Sequence, residues 1–195
     1  KCENFILFLD HSGSMAMQHK TFLKDKIVLA KDALIRMNQL IPNLSYNGAL
    51  TTAAPYKDYV KLDKYDRAKM DKALKGLSEE FDIFNRLTPL GDSLLKLDPV
   101  IAKTQGCVNV ILLSDGMRNI GSDAVAAAQS LYAKYPNKLY IHIISYADEK
   151  EGKAVLDKIA AMNKSAVYID AAQARDANGL RDFVEKVFCG AANPP

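Results

Sequence analysis

The sequence has no apolar run near the roughly 20 residues that a membrane-crossing helix needs, so membrane insertion by this domain is not expected. It also lacks a surplus of charge. With 26 Lys and Arg against 23 Asp and Glu, the net charge is +3, and the basic residues are scattered instead of forming the concentrated face that nucleic-acid binding requires. Neither a Gly-rich fingerprint nor a Gly-Lys-Ser/Thr loop follows any predicted strand, which argues against nucleotide binding. A Gly-x-Ser-x-Gly elbow is missing as well: "HSGSM" fails at both flanking positions, so a serine hydrolase is disfavoured. There is no internal repeat and no low-complexity linker. The chain opens at Lys1 and closes on "CGAANPP", as a processed protein or an excised domain would.

Cysteine is scarce, at 3 residues, which allows one bridge and leaves a thiol over. Cys2 precedes the first predicted strand and Cys189 ends the last helical segment. Because the termini of compact domains often lie close together, Cys2 to Cys189 is the expected pair, with three unrelated thiols as the alternative. Such a bridge implies an oxidising, extracytoplasmic location: periplasmic, cell-surface or secreted. Cys107, ahead of an apolar strand, is expected to be a small buried hydrophobe.

What is present is enough for one core. The chain has 195 residues and is 49% hydrophobic, as an α/β domain spanning 1–195 would be. The segments "FILFL", "VNVILL" and "LYIHIIS" are nearly unbroken aliphatic runs, the pattern of parallel strands covered on both faces. "LSYNGALTT" predicts a further strand over 44–52. "YKDYVKL" alternates and carries lysines, which suits an edge, and "AVYID" suits the opposite edge. Helical spacing predicts helices over 22–41, 66–77, 90–103, 122–134, 150–162 and 175–188, with Pro42 and Pro136 as stops and Ser122 as a cap. Lys20, Lys24, Lys26 and Lys31 are assigned to the solvated side of the first helix. Strands alternating with helices imply right-handed crossovers: a doubly wound, mostly parallel central sheet with helices on both faces.

In such sheets the functional crevice lies beyond the carboxyl ends of the strands, where strand order reverses. Two predicted strands end there on an aspartate, "LFLDHSGSM" at Asp10 and "VILLSDG" at Asp115. Residues two apart in an extended loop point the same way, so Asp10, Ser12 and Ser14 can converge. One or two carboxylates with neutral oxygens suit a hard divalent cation, Mg²⁺ above all, whereas zinc would call for Cys or His ligands. "RLTPLGDSL" offers Thr88 as a further oxygen. Taken singly, each residue has a blander role: Ser12, Ser14 or Thr88 as helix caps, and Asp115-Gly116 as a turn.

Together, "DHSGSM", "LTPLGDSL" and "LLSDG" resemble the three-part motif of von Willebrand factor type A domains across almost the whole chain. The resemblance implies a metal-ion-dependent adhesion site, with Asp10, Ser12, Ser14, Thr88 and Asp115 around one Mg²⁺, or Mn²⁺ or Ca²⁺ in its place. It further implies a role in recognition, with a partner protein supplying an Asp or Glu to the metal, and a monomeric domain. The family often has glycines before the threonine, where this chain has Arg86 and Leu87. Arg86, near the rim, could recruit an acidic partner or be a solvated loop arginine; His11, also at the rim, and His19 flank the metal loop, where they could contact a ligand or be surface histidines with no role. His142, within a buried strand, is expected to be a satisfied core residue. The enzymatic alternative is Mg²⁺-dependent phosphoryl transfer of the haloacid dehalogenase type. That chemistry needs an Asp-x-Asp pair, and Ser12 stands where its second carboxylate would be. A structural domain without metal is the other alternative.

Overall fold

The computed structural model describes residues 2–81, 89–117 and 123–190. Its strands are β1 (Asn4–Asp10), β2 (Asn47–Ala53), β3 (Lys57–Lys64), β4 (Val108–Ser114), β5 (Leu139–Ser145) and β6 (Tyr168–Asp170). They form one sheet in the order β3-β2-β1-β4-β5-β6, parallel throughout except for β3, which pairs antiparallel with β2 at one edge. Described helices are α1 (Lys26–Leu40), α2 (Arg67–Lys75), α3 (Leu90–Leu95), α4 (Asp98–Lys103), α5 (Ala124–Lys134), α6 (Lys150–Ala160), α7 (Ala171–Arg175) and α8 (Ala177–Phe188).

Strand periodicity divides the aliphatic runs between two cores. In β1, Phe5, Leu7 and Leu9 face α1, α2, α7 and α8, while Ile6 and Phe8 face α3, α4, α5 and α6. The same division holds in β4, where Ile111 and Leu113 join the first core and Val110 and Leu112 the second. Burial on both faces explains why these strands read as unbroken apolar runs, and each fully buried Leu, Ile or Phe contributes roughly 1.5–3 kcal/mol. Because β2 lies on one side of β1 and β4 on the other, strand order reverses between β1 and β4, and their carboxyl ends share one crevice.

Several expectations need correction. The first helix starts at Lys26, because residues 18–25 close on themselves: the His19 N–H bonds to the Lys24 carbonyl, Leu23 N–H to His19, and Lys26 N–H to Met17. The segment 90–103 is two helices, since Pro99 has no N–H for an internal helical bond and sits instead in the first turn of α4. The last segment is also split, with Asp176 in an extended conformation and its carboxylate capping α8 through the Gly179 N–H. The cap of α5 is Asp123, and Ser122 lies outside the described residues.

The expected bridge between Cys2 and Cys189 is not formed. Cys2 is bonded to Cys107, with Cα atoms 4.9 Å apart, and Cys189 is an exposed free thiol. Strand register is the reason. Asn4 pairs with Val108 in the parallel β1–β4 ladder, so the residues just before these two strands are brought side by side. Cys107 is therefore half of a disulfide and not a lone buried hydrophobe.

Candidate metal centre

Asp10 is the last residue of β1 and is fully buried. Its carboxylate accepts the Ser12 N–H on Oδ1 at 2.9 Å and the Ser114 hydroxyl on Oδ2 at 2.6 Å. Ser114, the last residue of β4, in turn accepts the Gly116 N–H at 2.9 Å, so one side chain fixes both loops. After Asp10 the chain enters a single 3₁₀ turn, Gly13–Ala16. Ser12 stands at its N-cap position, yet its hydroxyl makes no capping bond and lies 3.2 Å from the Ser14 hydroxyl instead. Ser14 donates to Asp115 Oδ1 at 3.0 Å, and the Met117 N–H bonds to the same oxygen at 3.1 Å. Asp10, Ser12, Ser14 and Asp115 are thus brought into one hydrogen-bonded cluster at the reversal point of the sheet. Thr88 and Arg86 lie outside the described residues.

The loop after β4 is held by close backbone approach. Gly116 has φ +66°, and a methyl there would come within 2.3 Å of the Gly152 carbonyl in α6. A methyl on Gly152 would meet the Asp115 carbonyl at 2.1 Å. Beside this loop a pocket of about 200 Å³ is walled by Pro89, Leu90, Met117, Val125 and Val155. A larger groove, about 740 Å³, opens near the other end of the sheet beside β2, β3 and α4, away from the paired aspartates.

Two features of the site were missed in the sequence. Lys26 is not on a solvated face. Its ammonium is buried and bonds Asp115 Oδ2 at 3.1 Å and Asp148 Oδ1 at 2.7 Å. Spacing carried the signal, because Lys26 lies four residues before Ala30 and eight before Leu34 on the buried stripe of α1. Asp148 follows β5, so a third strand also delivers an aspartate to this edge. Its other oxygen accepts the Lys20 N–H at 2.9 Å.

Electrostatically the site is short of positive charge. Burial, with the neighbouring Asp115 carboxylate, pushes Asp10 up to about 6, although hydrogen bonds from Ser114 and Ser12 oppose the rise. Burial also opposes the Lys26 charge, but its bonds to Asp148 and Asp115 outweigh this and hold the ammonium above its ordinary value. The donor set is entirely oxygen, which fits a hard cation. Among the described residues no three His, Cys, Asp or Glu side chains form a metal-holding group, so an ion here would depend on the serine hydroxyls as well as the two aspartates.

His11 directly follows Asp10, and its ring is engaged: Nε2–H donates to the Ser78 carbonyl at 2.9 Å and the ring stacks on Phe81 at 4.3 Å. It anchors the segment that leads towards the threonine loop. His19 is buried beneath the 18–25 loop against Phe22, and burial lowers its pKa. His142 is a satisfied core residue. Its Nδ1 accepts the Val167 N–H at 3.0 Å and its Nε2–H donates to Asn109 at 3.0 Å.

This fold, with its six-stranded mostly parallel sheet and helices on both faces, is the von Willebrand factor type A fold. No family profile matches the chain, and no curated protein matches it in sequence. Solved structures do. An aerotolerance-related membrane protein from Bacteroides fragilis superposes with a TM-score of 0.69 at 16% identity, covering 94% of this chain and 96% of that one. The manganese-loaded TRAP protein of Plasmodium vivax gives 0.62 at 17% identity, over 93% and 72% of the two chains. Proximal thread matrix protein 1 from the mussel byssus, in a form with a zinc-occupied MIDAS motif, gives 0.69 at 18% identity, over 93% and 44%.

Proposed function

We propose that this chain is a metal-dependent protein-binding module. Asp10, Ser12, Ser14 and Asp115, together with Thr88, would hold one divalent cation, Mg²⁺ or Mn²⁺, for a partner that presents an Asp or Glu side chain. The reading is carried by the pair of serine hydroxyls: Ser12 is not spent on capping, and both sit between the two aspartates. Two similar structures with manganese or a zinc-occupied motif support a divalent ion at this position. When bound, the ion supplies an electron-poor site for one more carboxylate.

The chain's own residues position the donors. Ser114 and the Ser12 N–H fix both oxygens of Asp10 with one bond each, and a carboxylate oxygen so bonded keeps further acceptor capacity. Ser14 and the Met117 N–H fix Oδ1 of Asp115. Ser12 occupies the place where a phosphoryl-transfer enzyme would need a proton-relaying carboxylate, which favours recognition over catalysis. The Cys2–Cys107 disulfide supports an extracytoplasmic location.

Calorimetric titration with Mn²⁺ tests the reading. Uptake of one ion per chain is expected for the wild type and none for Asp10→Ala, while equal uptake by both removes the proposal. Chelator is expected to release a bound partner, and Thr88→Ala to weaken it.

A further inference from the structure

Lys26 is hard to explain by the fold alone. Its side chain is 4% exposed, and its partners Asp115 and Asp148 are 0% and 6% exposed. Desolvating such a triad is costly, and replacing all of its members together by apolar residues of similar volume often leaves stability no worse. What distinguishes Lys26 is its location behind the candidate metal ligands. Asp115 turns Oδ1 towards Ser14 and Oδ2 towards the ammonium, so its two oxygens face opposite demands. Ionised Asp10, Asp115 and Asp148, set against Lys26, leave the cluster with two net negative charges, which a single divalent ion balances.

Building on the reading above, we infer that Lys26 is a built-in counter-cation that tunes how strongly this site draws a divalent ion. It acts as a positioning residue. It engages Asp115 Oδ2, leaves Oδ1 to Ser14 and the Met117 N–H, and places a fixed positive charge that would weaken the binding of an ion. In exchange it keeps the loops assembled when the ion has left. Asp148 moderates the effect by sharing the ammonium.

The test is Mn²⁺ calorimetry, with thermal unfolding in the presence and absence of Mn²⁺, on Lys26→Met and Asp148→Asn. If the triad were only structural, both variants would break the same ion pair and both would bind the ion more weakly. The electrostatic role predicts opposite signs. Lys26→Met should bind roughly tenfold tighter or more, from removal of a nearby unit charge in a partly desolvated site, and its unfolding temperature should fall without Mn²⁺ yet rise further than that of the wild type on adding it. Asp148→Asn should bind several-fold more weakly. If Lys26→Met does not fold in ion-free buffer, Lys26→Gln keeps N–H donors towards both carboxylates without the charge, and it too must bind more tightly. Unchanged or weaker binding in the Lys26 variants overturns the inference. A wild type that takes up no Mn²⁺ removes the underlying metal reading instead.

Discussion

The same two strands, β1 and β4, are finished in opposite ways at their two ends. At the amino ends they are joined by the Cys2–Cys107 disulfide and by Asn4 donating to the Gln105 and Cys107 carbonyls, and the Phe5 ring of β1 is set edge-on against Tyr46, Tyr65 and Phe188. Nearby, Asn109 links His142 to the Val187 carbonyl of α8. At the carboxyl ends the described residues add to the apolar packing of Leu9, Met15 and Leu113 a set of buried carboxylates and hydroxyls and the Lys26 ammonium. One end is built to hold the fold. The other gathers buried charge, whose desolvation costs stability.

That contrast can be broken from either side. The largest effect is expected from Cys2→Ser with Cys107→Ser, which opens a cross-link spanning 105 residues and should cost about 4 kcal/mol in denaturant unfolding. Under denaturing, non-reducing conditions one thiol should titrate, Cys189, against three after reduction.

A somewhat smaller effect should come from pH. Burial lowers His142 from 6.5 to about 4, so the unfolded chain takes up a proton that the folded chain refuses. The stability contributed by the neutral ring is complete above the unfolded value and is lost as pH falls from 6.5 towards 4, by about 3 kcal/mol. His142→Gln should flatten this part of a denaturation-versus-pH profile.

The smallest shift has the opposite sign. Asp10 is raised from 3.8 to about 6, so the ion-free domain loses stability as pH rises through that window. At pH 7 and without divalent ions, Asp10→Asn is expected to stabilise by about 2 kcal/mol in denaturant unfolding, the roughly 3 kcal/mol of the shift less about 1 kcal/mol for one bond that the Asn Nδ2 cannot accept. Saturating Mn²⁺ should reverse the order, because only the wild type gains from the ligand. Destabilisation by Asp10→Asn under ion-free conditions would erase the distinction between the two ends.

The sheet was legible because double burial leaves an unmistakable mark: β1, β4 and β5 are buried along their whole length. Asp10 and Asp115 could be placed together because parallel strands deliver their carboxyl ends to one side. Pairing of the cysteines was not legible, since it depends on which strand lies next to β1, and the termini offered a closer-looking partner. Lys26 was not legible from residue type, because lysines are mostly exposed, although its register on α1 with Ala30 and Leu34 pointed inward. Asp148 stands beyond β5, separated from it by Tyr146 and Ala147, whereas Asp115 directly follows β4, and without a motif around it nothing marked it out. The break at Pro99 was readable from the missing N–H alone.

Gly116 and Gly152 press backbone on backbone, with no side chain between to act as a cushion. The Asp115 loop and the opening turn of α6 therefore meet main chain to main chain, and a side chain of any size at either glycine would have to part them.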